Sequence, residues 1–338
     1  MLAAPPVSGA GCSPLHPEPG RQAGTVLPEA TAGSDRGIVI AVMGITGKIQ
    51  PVFKICRVIG AGKSYFIREV TGNSEVKVSG DLYSCTRKVQ SYSFEYAGAK
   101  ITLVDTPGFN DTKRSDTEVL QEITDWTSAT YRKKQLLSGI IYLHPITHTR
   151  MEGSAMRNLR MFQSLCGQEV LENVFLTTTQ WSNVNPADGE FRQNRLRSRE
   201  IWGGLIEKGA TLQRFHGSRE SGLELIHGLM SNKRKPLHIQ DQIVKQHMTL
   251  LETDAGKFIN QELAAQEKRY RAELESLERQ LQEAIKARDD EMNQVLTMEQ
   301  TRARQKLRKA AAEQKLLERL HVAEIEKGRL KRGGGRRK

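Results

Sequence analysis

A lysine and a serine side by side behind two glycines can hold phosphate. The chain has this pattern at Gly60-Ala61-Gly62-Lys63-Ser64, with Tyr65 next and a helix-forming stretch beyond. An apolar run, Ile38-Val39-Ile40-Ala41-Val42-Met43-Gly44, lies upstream. A buried strand, a glycine-rich loop and a helix that opens on Lys-Ser form a phosphate-binding loop. Backbone N–H groups converge on the phosphates, and the helix N-terminus adds the positive end of its dipole. Lys63 then reaches the outer phosphates, and the Ser64 hydroxyl is a ligand for Mg²⁺.

The loop is interrupted. The motif requires a glycine five residues before Gly62, where the chain has Arg57. The missing part stands higher up, as Gly44-Ile45-Thr46-Gly47. Removing the thirteen residues 48–60 joins Gly47 to Ala61 and restores an unbroken loop, IVIAVMGITGAGKSYFIREVTG. Thirteen codons keep the reading frame. Gly47-Lys48 can encode a donor splice signal and Val58-Ile59-Gly60 an acceptor, so a retained intron is one origin of the segment. The other is a genuine insertion, with Val52 to Ile59 replacing the first strand or looping out.

Three further stretches suit a triphosphate. Asp105-Thr106-Pro107-Gly108 closes the strand Ile101–Asp105. An aspartate there holds Mg²⁺, commonly through water, and Gly108 lets its N–H approach the γ-phosphate. Alone the tetrapeptide is ordinary turn chemistry, and it gains meaning from the loop before it. Between the two, Gly80–Thr86 is polar and loop-like. Thr86 is the expected cap on Mg²⁺, with Ser84 as rival. Lys63 and Thr86 are thus the residues expected to act on the transferring phosphate. Beyond the strand Val174–Thr178, the four residues Thr178-Thr179-Gln180-Trp181 stand where a base would be read. An indole is donor-only and cannot replace a carboxylate. Gln180 can contact a base, and Trp181 can stack on one or simply pack. Arg214-Phe215-His216-Gly217-Ser218 is the candidate for a backing turn.

Hydrolysis has weaker candidates. Phe109 follows the second motif where a water-orienting glutamine would serve. Thr46, Thr86, Asn110 and Asp111 are alternatives. His144 and His148 flank the fourth strand and read as packed or solvated histidines. Arg150 or Arg157 could act across a dimer.

The elements that must position these residues follow from periodicity. Ile38–Met43, Val89–Tyr96, Ile101–Asp105, Gly139–Leu143 and Val174–Thr178 read as strands. Ser64–Val70, Thr117–Lys133, Gly153–Leu165, Gly189–Glu207 and Ser221–Met230 read as helices. Strands alternating with helices predict an α/β fold, a mainly parallel sheet with helices on both faces and ligands at the strands' carboxyl ends. Four parts are expected: a disordered N-terminus (1–35) rich in Pro, Gly and Ala, the α/β domain (36–232), a helical extension (233–327) and a basic tail (328–338). In the extension Tyr270, Leu274, Leu277, Leu281 and Ala284 make a short heptad seam, broken at Arg288 and Glu291 and resumed at Val295. A partly coiled-coil helix and a helix folded back on the core are both consistent with it.

Net charge is +12, from 51 basic and 39 acidic residues. From 301 onward 14 Lys and Arg face 4 Glu, so the body of the chain is nearly neutral. An anionic partner, nucleic acid or membrane, would therefore be met by the basic C-terminus. The 4 cysteines have no metal or disulfide spacing, which fits a reduced, intracellular and cytoplasmic protein. No transmembrane segment or secretory signal is evident.

With GxTGxGKS (residues 48–60 removed), SCT, DTPGFND, GIIYLHPITHTRMEGSAMRNLRMFQSLCG and Thr-Thr-x-Trp together, residues 37–232 resemble a family of predicted fungal GTPases. That family is related to the septin-like, immunity-associated and chloroplast-translocon group of P-loop proteins. The resemblance covers 196 of the 338 residues. It implies a P-loop NTPase fold, a three-layer αβα G domain with a C-terminal helical extension. It also implies GTP and GDP as ligands, Mg²⁺ as cofactor, slow hydrolysis of GTP and action as a switch or assembly protein. Self-association or a protein partner would engage the helical tail. The split loop and Pro145 depart from the pattern. A nucleotide-dead scaffold, or an ATP-binding protein given the missing aspartate, are the alternative readings.

Overall fold

The computed structural model describes residues 37–45, 60–76, 88–109, 114–149, 151, 153–287 and 289–333. Residues 1–35 and the end of the basic tail, 334–338, lie outside them. Arg36–Lys338 form one compact unit.

The apolar runs form a six-stranded sheet of order β2-β3-β1-β4-β5-β6. The strands are β1 (Ile38–Gly44), β2 (Gln90–Tyr96), β3 (Ala99–Asp105), β4 (Gly139–Pro145), β5 (Val174–Thr179) and β6 (Thr211–Arg214). β2 runs antiparallel to β3, and all other pairs are parallel. Central strands β1, β4 and β5 are buried almost throughout because both faces are covered. Alternate residues of β1 show this: Ile40 and Val42 join one core, Ala41 and Met43 the other. Helices α1 (Lys63–Thr71) and α6 (Arg219–Met230) cover the first face. Helices α2 (Asp116–Arg132) and α3 (Gly153–Cys166) cover the second. Helix α2 begins on a capping box, Ser115 with Glu118, which satisfies two of its otherwise orphaned N–H groups.

Strand β6 was not expected. Its four residues, Thr-Leu-Gln-Arg, lie at the sheet edge and carry no apolar run for a pattern to catch. The long helix expected over 189–207 is instead α4 (Pro186–Leu196), a π-turn at Arg199–Gly203 and α5 (Gly204–Ile206). Asn185 caps α4, with Pro186 in its first turn. Gly203 is pinched against the preceding backbone, where a Cβ would come within 2.6 Å of the Arg197 carbonyl.

The extension is a helical hairpin laid against the second face. After the single turn α7 (His238–Gln240), α8 (Asp254–Ala287) leaves the core with Ala255, Ile259 and Leu263 buried. Helix α9 (Asp290–Gly333) returns antiparallel to it, with Lys306 paired to Glu273 and Arg304 to Glu278. The seam resumes at Leu296, one residue later than expected, and steps by sevens through Ala303, Ala310 and Leu317, all buried. Val295 is exposed, because the chain reverses between the helices and presents a different face. Helix α9 also runs past residue 327, where the tail was expected to begin. No helix among the described residues is long and apolar enough to cross a membrane.

Candidate functional site

The carboxyl end of β1 opens the site. Gly44 has φ +146, and a Cβ there would lie 2.3 Å from the Leu143 carbonyl, so only glycine fits. Ala61 N–H donates to Ile45 C=O at 3.1 Å. The two described ends of the interrupted loop are therefore joined by a hydrogen bond. The first strand is Ile38–Gly44, and residues 52–59 lie outside the described residues. Gly62, at φ +80, is the N-cap of α1 and offers no side chain to the helix's first N–H groups. A helix start left uncapped by its own sequence has donors available to an anion.

Lys63 Nζ donates to the Gly44 carbonyl at 3.4 Å, which folds its ammonium back over the loop. Ser64 Oγ donates to Asp105 Oδ2 at 2.9 Å. Asp105 is buried, pairs in register with Val42 of β1, and ends β3. Thr106 fastens the following turn, donating both its N–H (3.4 Å) and its hydroxyl (2.9 Å) to the Val42 carbonyl. Burial and the Asp105 charge both raise the Tyr92 phenol above its ordinary value. A hydroxyl and a carboxylate one hydrogen bond apart form a hard-oxygen donor pair, which suits Mg²⁺ and leaves further positions to water and phosphate. Gly108 is buried just beyond, beside Phe109.

The fourth motif is engaged differently from what its letters suggest. Thr178 is buried in β5, donates to the Gln213 carbonyl at 3.2 Å and accepts the Trp181 indole N–H at 3.0 Å. Thr179 Oγ1 donates to the Ala61 carbonyl at 3.1 Å. Gln180, at φ +62, donates its amide to the Gly60 carbonyl at 2.7 Å and accepts from the Thr147 hydroxyl at 2.9 Å. Thr179 and Gln180 thus support the backbone of the phosphate loop. Trp181 is half-buried and packs between two neighbours. The Arg214 guanidinium lies 4.3 Å over its ring, and a Cβ on Gly189 would come within 2.7 Å of it. Arg214 is itself anchored on Glu190 at 2.6 Å. Sequence reasoning missed Thr147, which sits in a turn without any local signature.

The fifth stretch closes the same end. Phe215 is buried and its N–H donates to the Thr178 carbonyl at 2.8 Å. Tyr65 Oη donates to the Gly217 carbonyl at 3.0 Å, tying α1 to this turn. Ser218 caps α6, and His216 is exposed.

The remaining candidates separate from the site. His144 is fully buried beside His148 (5.5 Å) and Trp202 (5.7 Å), a packed histidine. Burial, then the His148 charge, pushes its pKa down to about 3. Arg157 is held by Asp116 at 2.9 Å and Glu262 at 3.6 Å. Gly47 and Thr86, with Thr46, Ser84, Asn110, Asp111 and Arg150, lie outside the described residues.

Known proteins resemble parts of this chain. A family model described as a 50S ribosome-binding GTPase matches residues 57–152. A curated protein, GTP-binding protein A of Dictyostelium discoideum, is 24% identical over 174 residues, half of this chain. The chain spans only 36% of that relative's length. Among solved structures, Toc33 from Arabidopsis thaliana, in complex with Mg²⁺ and GMPPNP, is similar at 16% identity and a TM-score of 0.45, over 60% of this chain and 87% of that one. A variant of Era from Aquifex aeolicus bound to GDP·AlF4⁻ is similar at 13% identity and a TM-score of 0.38, over 61% of this chain and 60% of that one. At these values the structural likenesses are similarities of shape only. Residues 57–152 thus match a GTPase family model, within an α/β sheet that is followed by a long helical region.

Proposed function

We propose that this chain binds GTP with Mg²⁺, hydrolyses it slowly to GDP and phosphate, and works as a nucleotide-dependent switch or assembly protein. One observation carries the reading: the Ser64–Asp105 pair stands at the uncapped start of α1, directly after Gly62 and Lys63. Mg²⁺, when bound, neutralises charge on the β- and γ-phosphates. The chain's own groups do the rest. The first N–H groups of α1 bind the phosphates, aided by the helix dipole. Lys63 exchanges its Gly44 carbonyl partner for phosphate oxygens, a charge-assisted bond stronger than the neutral one it leaves. Ser64 and Asp105 hold the ion. Thr179 and Gln180 keep the loop backbone from shifting when charge enters. The hairpin α8–α9 offers the long surface that self-association or a partner would use, and its basic residues would meet an anionic one.

A fluorescent GTP analogue titrated against the chain and its Lys63→Ala variant tests this. Loss of two or so charge-assisted bonds should weaken binding about 100-fold, with the circular dichroism unchanged. A chain that takes up neither GTP nor GDP at millimolar concentration with Mg²⁺ would overturn the reading.

A further inference from the structure

The side chains expected to meet a base are already occupied. Thr179 and Gln180 are spent on the Ala61 and Gly60 carbonyls, and the Trp181 N–H on Thr178. What the chain presents next at this end of β5 is Ser182 and Asn183. They belong to a single 3-10 turn, Trp181–Asn183, closed by Asn183 N–H donating to the Gln180 carbonyl at 3.1 Å. Both residues are exposed, and neither the Ser182 hydroxyl nor the Asn183 amide has a hydrogen-bond partner among the described residues.

The turn is aimed by what precedes it. Gln180 takes the left-handed conformation and is bolted to Gly60, two residues before Gly62. The turn therefore cannot drift from the phosphate loop. A ligand with its phosphates on the start of α1 extends along the carboxyl ends of the strands. At β5 and β6 it meets this turn and the exposed His216, whose ring lies 6.4 Å from that of Trp181.

We propose that Ser182 reads the edge of the nucleobase, with Asn183 beside it, and that this neutral pair discriminates weakly among purines. The proposal rests on the nucleotide-binding reading above and adds its selectivity. A carboxylate at such a place only accepts. It favours a base that offers two N–H donors on one edge, as guanine does, and repels the bare ring nitrogen of adenine. A hydroxyl donates or accepts as the base requires, and neutral bonds are about half as strong as charged ones. The chain should therefore hold the diphosphates of guanine, hypoxanthine and adenine with similar strength.

The test is a competition series with GDP, IDP and ADP, on the full chain and on Ser182→Asp and Ser182→Ala. Ser182 is exposed and bonded to none of the described residues, so both variants should fold; their thermal midpoints check this. The native chain should bind the three ligands within about 10-fold of one another, and Ser182→Asp should widen the preference for GDP over ADP by about 10- to 100-fold. Ser182→Ala should leave the ratios near those of the native chain. A native preference for GDP over both others beyond 100-fold would overturn the role of Ser182 while leaving nucleotide binding intact. So would a Ser182→Asp variant with unchanged ratios. Failure to bind any of the three overturns both readings together.

Discussion

At the scale of single residues, the proposed site depends on a few buried or half-buried polar atoms. Asp105 is the clearest case, a buried carboxylate one hydrogen bond from Ser64. Asp105→Asn keeps the shape and the bond to Ser64 but removes the negative charge that draws a divalent ion. The variant should bind GTP no more tightly with Mg²⁺ than with a chelator, whereas the native chain gains from the ion. Equal Mg²⁺ enhancement in both proteins would remove Asp105 from the metal site. His144 gives a different prediction, because it serves packing. Its imidazole, ordinarily near 6.5, is pushed down to about 3 by burial and by His148. The folded chain thus binds fewer protons than the unfolded chain between those values. Stability should rise with pH through that window and fall as pH drops from about 6.5 toward 3. His144→Phe should flatten this dependence in thermal melts taken at several pH values. An unchanged slope would place the acid sensitivity elsewhere.

At the scale of elements, the interrupted loop has a definite geometry. The bond from Ala61 N–H to Ile45 C=O is the one that closes a β-turn between its first and fourth residues. In a chain lacking 48–60, Thr46 and Gly47 would be the two central residues, with glycine where a type II turn requires positive φ. The shortened chain should therefore fold with the same circular dichroism and a thermal midpoint at least as high. Closing a shorter loop costs less entropy, by roughly 1 kcal/mol. It should also bind GTP at least as tightly. A shortened chain that loses helical signal would show the segment to be structural. In the shortened chain Gly47 stands before Ala61 in place of Gly60, and its carbonyl should take over the Gln180 amide.

At the scale of the molecule, the hairpin is fastened at the start of α2, just after the Asp105–Gly108 turn. Glu313 of α9 accepts the Thr117 N–H at 3.2 Å, and Glu324 accepts the Leu250 N–H at 2.7 Å. Asp116, the first residue of α2, pairs with Arg157, which also meets Glu262 of α8. The two long helices thus share a polar junction with the element that follows the second phosphate motif. Burial foremost, then the nearby Asp116 charge, holds the Glu313 carboxyl above the usual range, against the Thr117 bond and Arg157. A raised carboxyl contributes stability that is complete below its unfolded value and lost as pH climbs through its folded one. Glu313→Gln keeps an acceptor for Thr117 and never ionises. It should melt higher than the native chain near neutral pH, with the gap closing near pH 4. A lower midpoint at neutral pH would show that the charge, through Arg157, holds the junction.

Much of this was legible in the order of residues. Local chemistry announces itself: glycines where the backbone must bend, a lysine and serine at a helix start, an aspartate closing a strand, apolar runs for strands covered on both faces. Those signals depend on neighbours a few positions away, so the letters alone determined the α/β sheet and singled out the glycine-rich loop and the Ser64 and Asp105 that the fold brings together. Three outcomes required the packed molecule. Gln180 was spent on Gly60, 120 residues away in the chain. Trp181 was packed over by Arg214 and Gly189. The heptad seam moved to Leu296 because α9 reverses against α8. Each is a choice among partners that several side chains could have made, and only folding, by bringing distant backbone into reach and burying one alternative, selects between them.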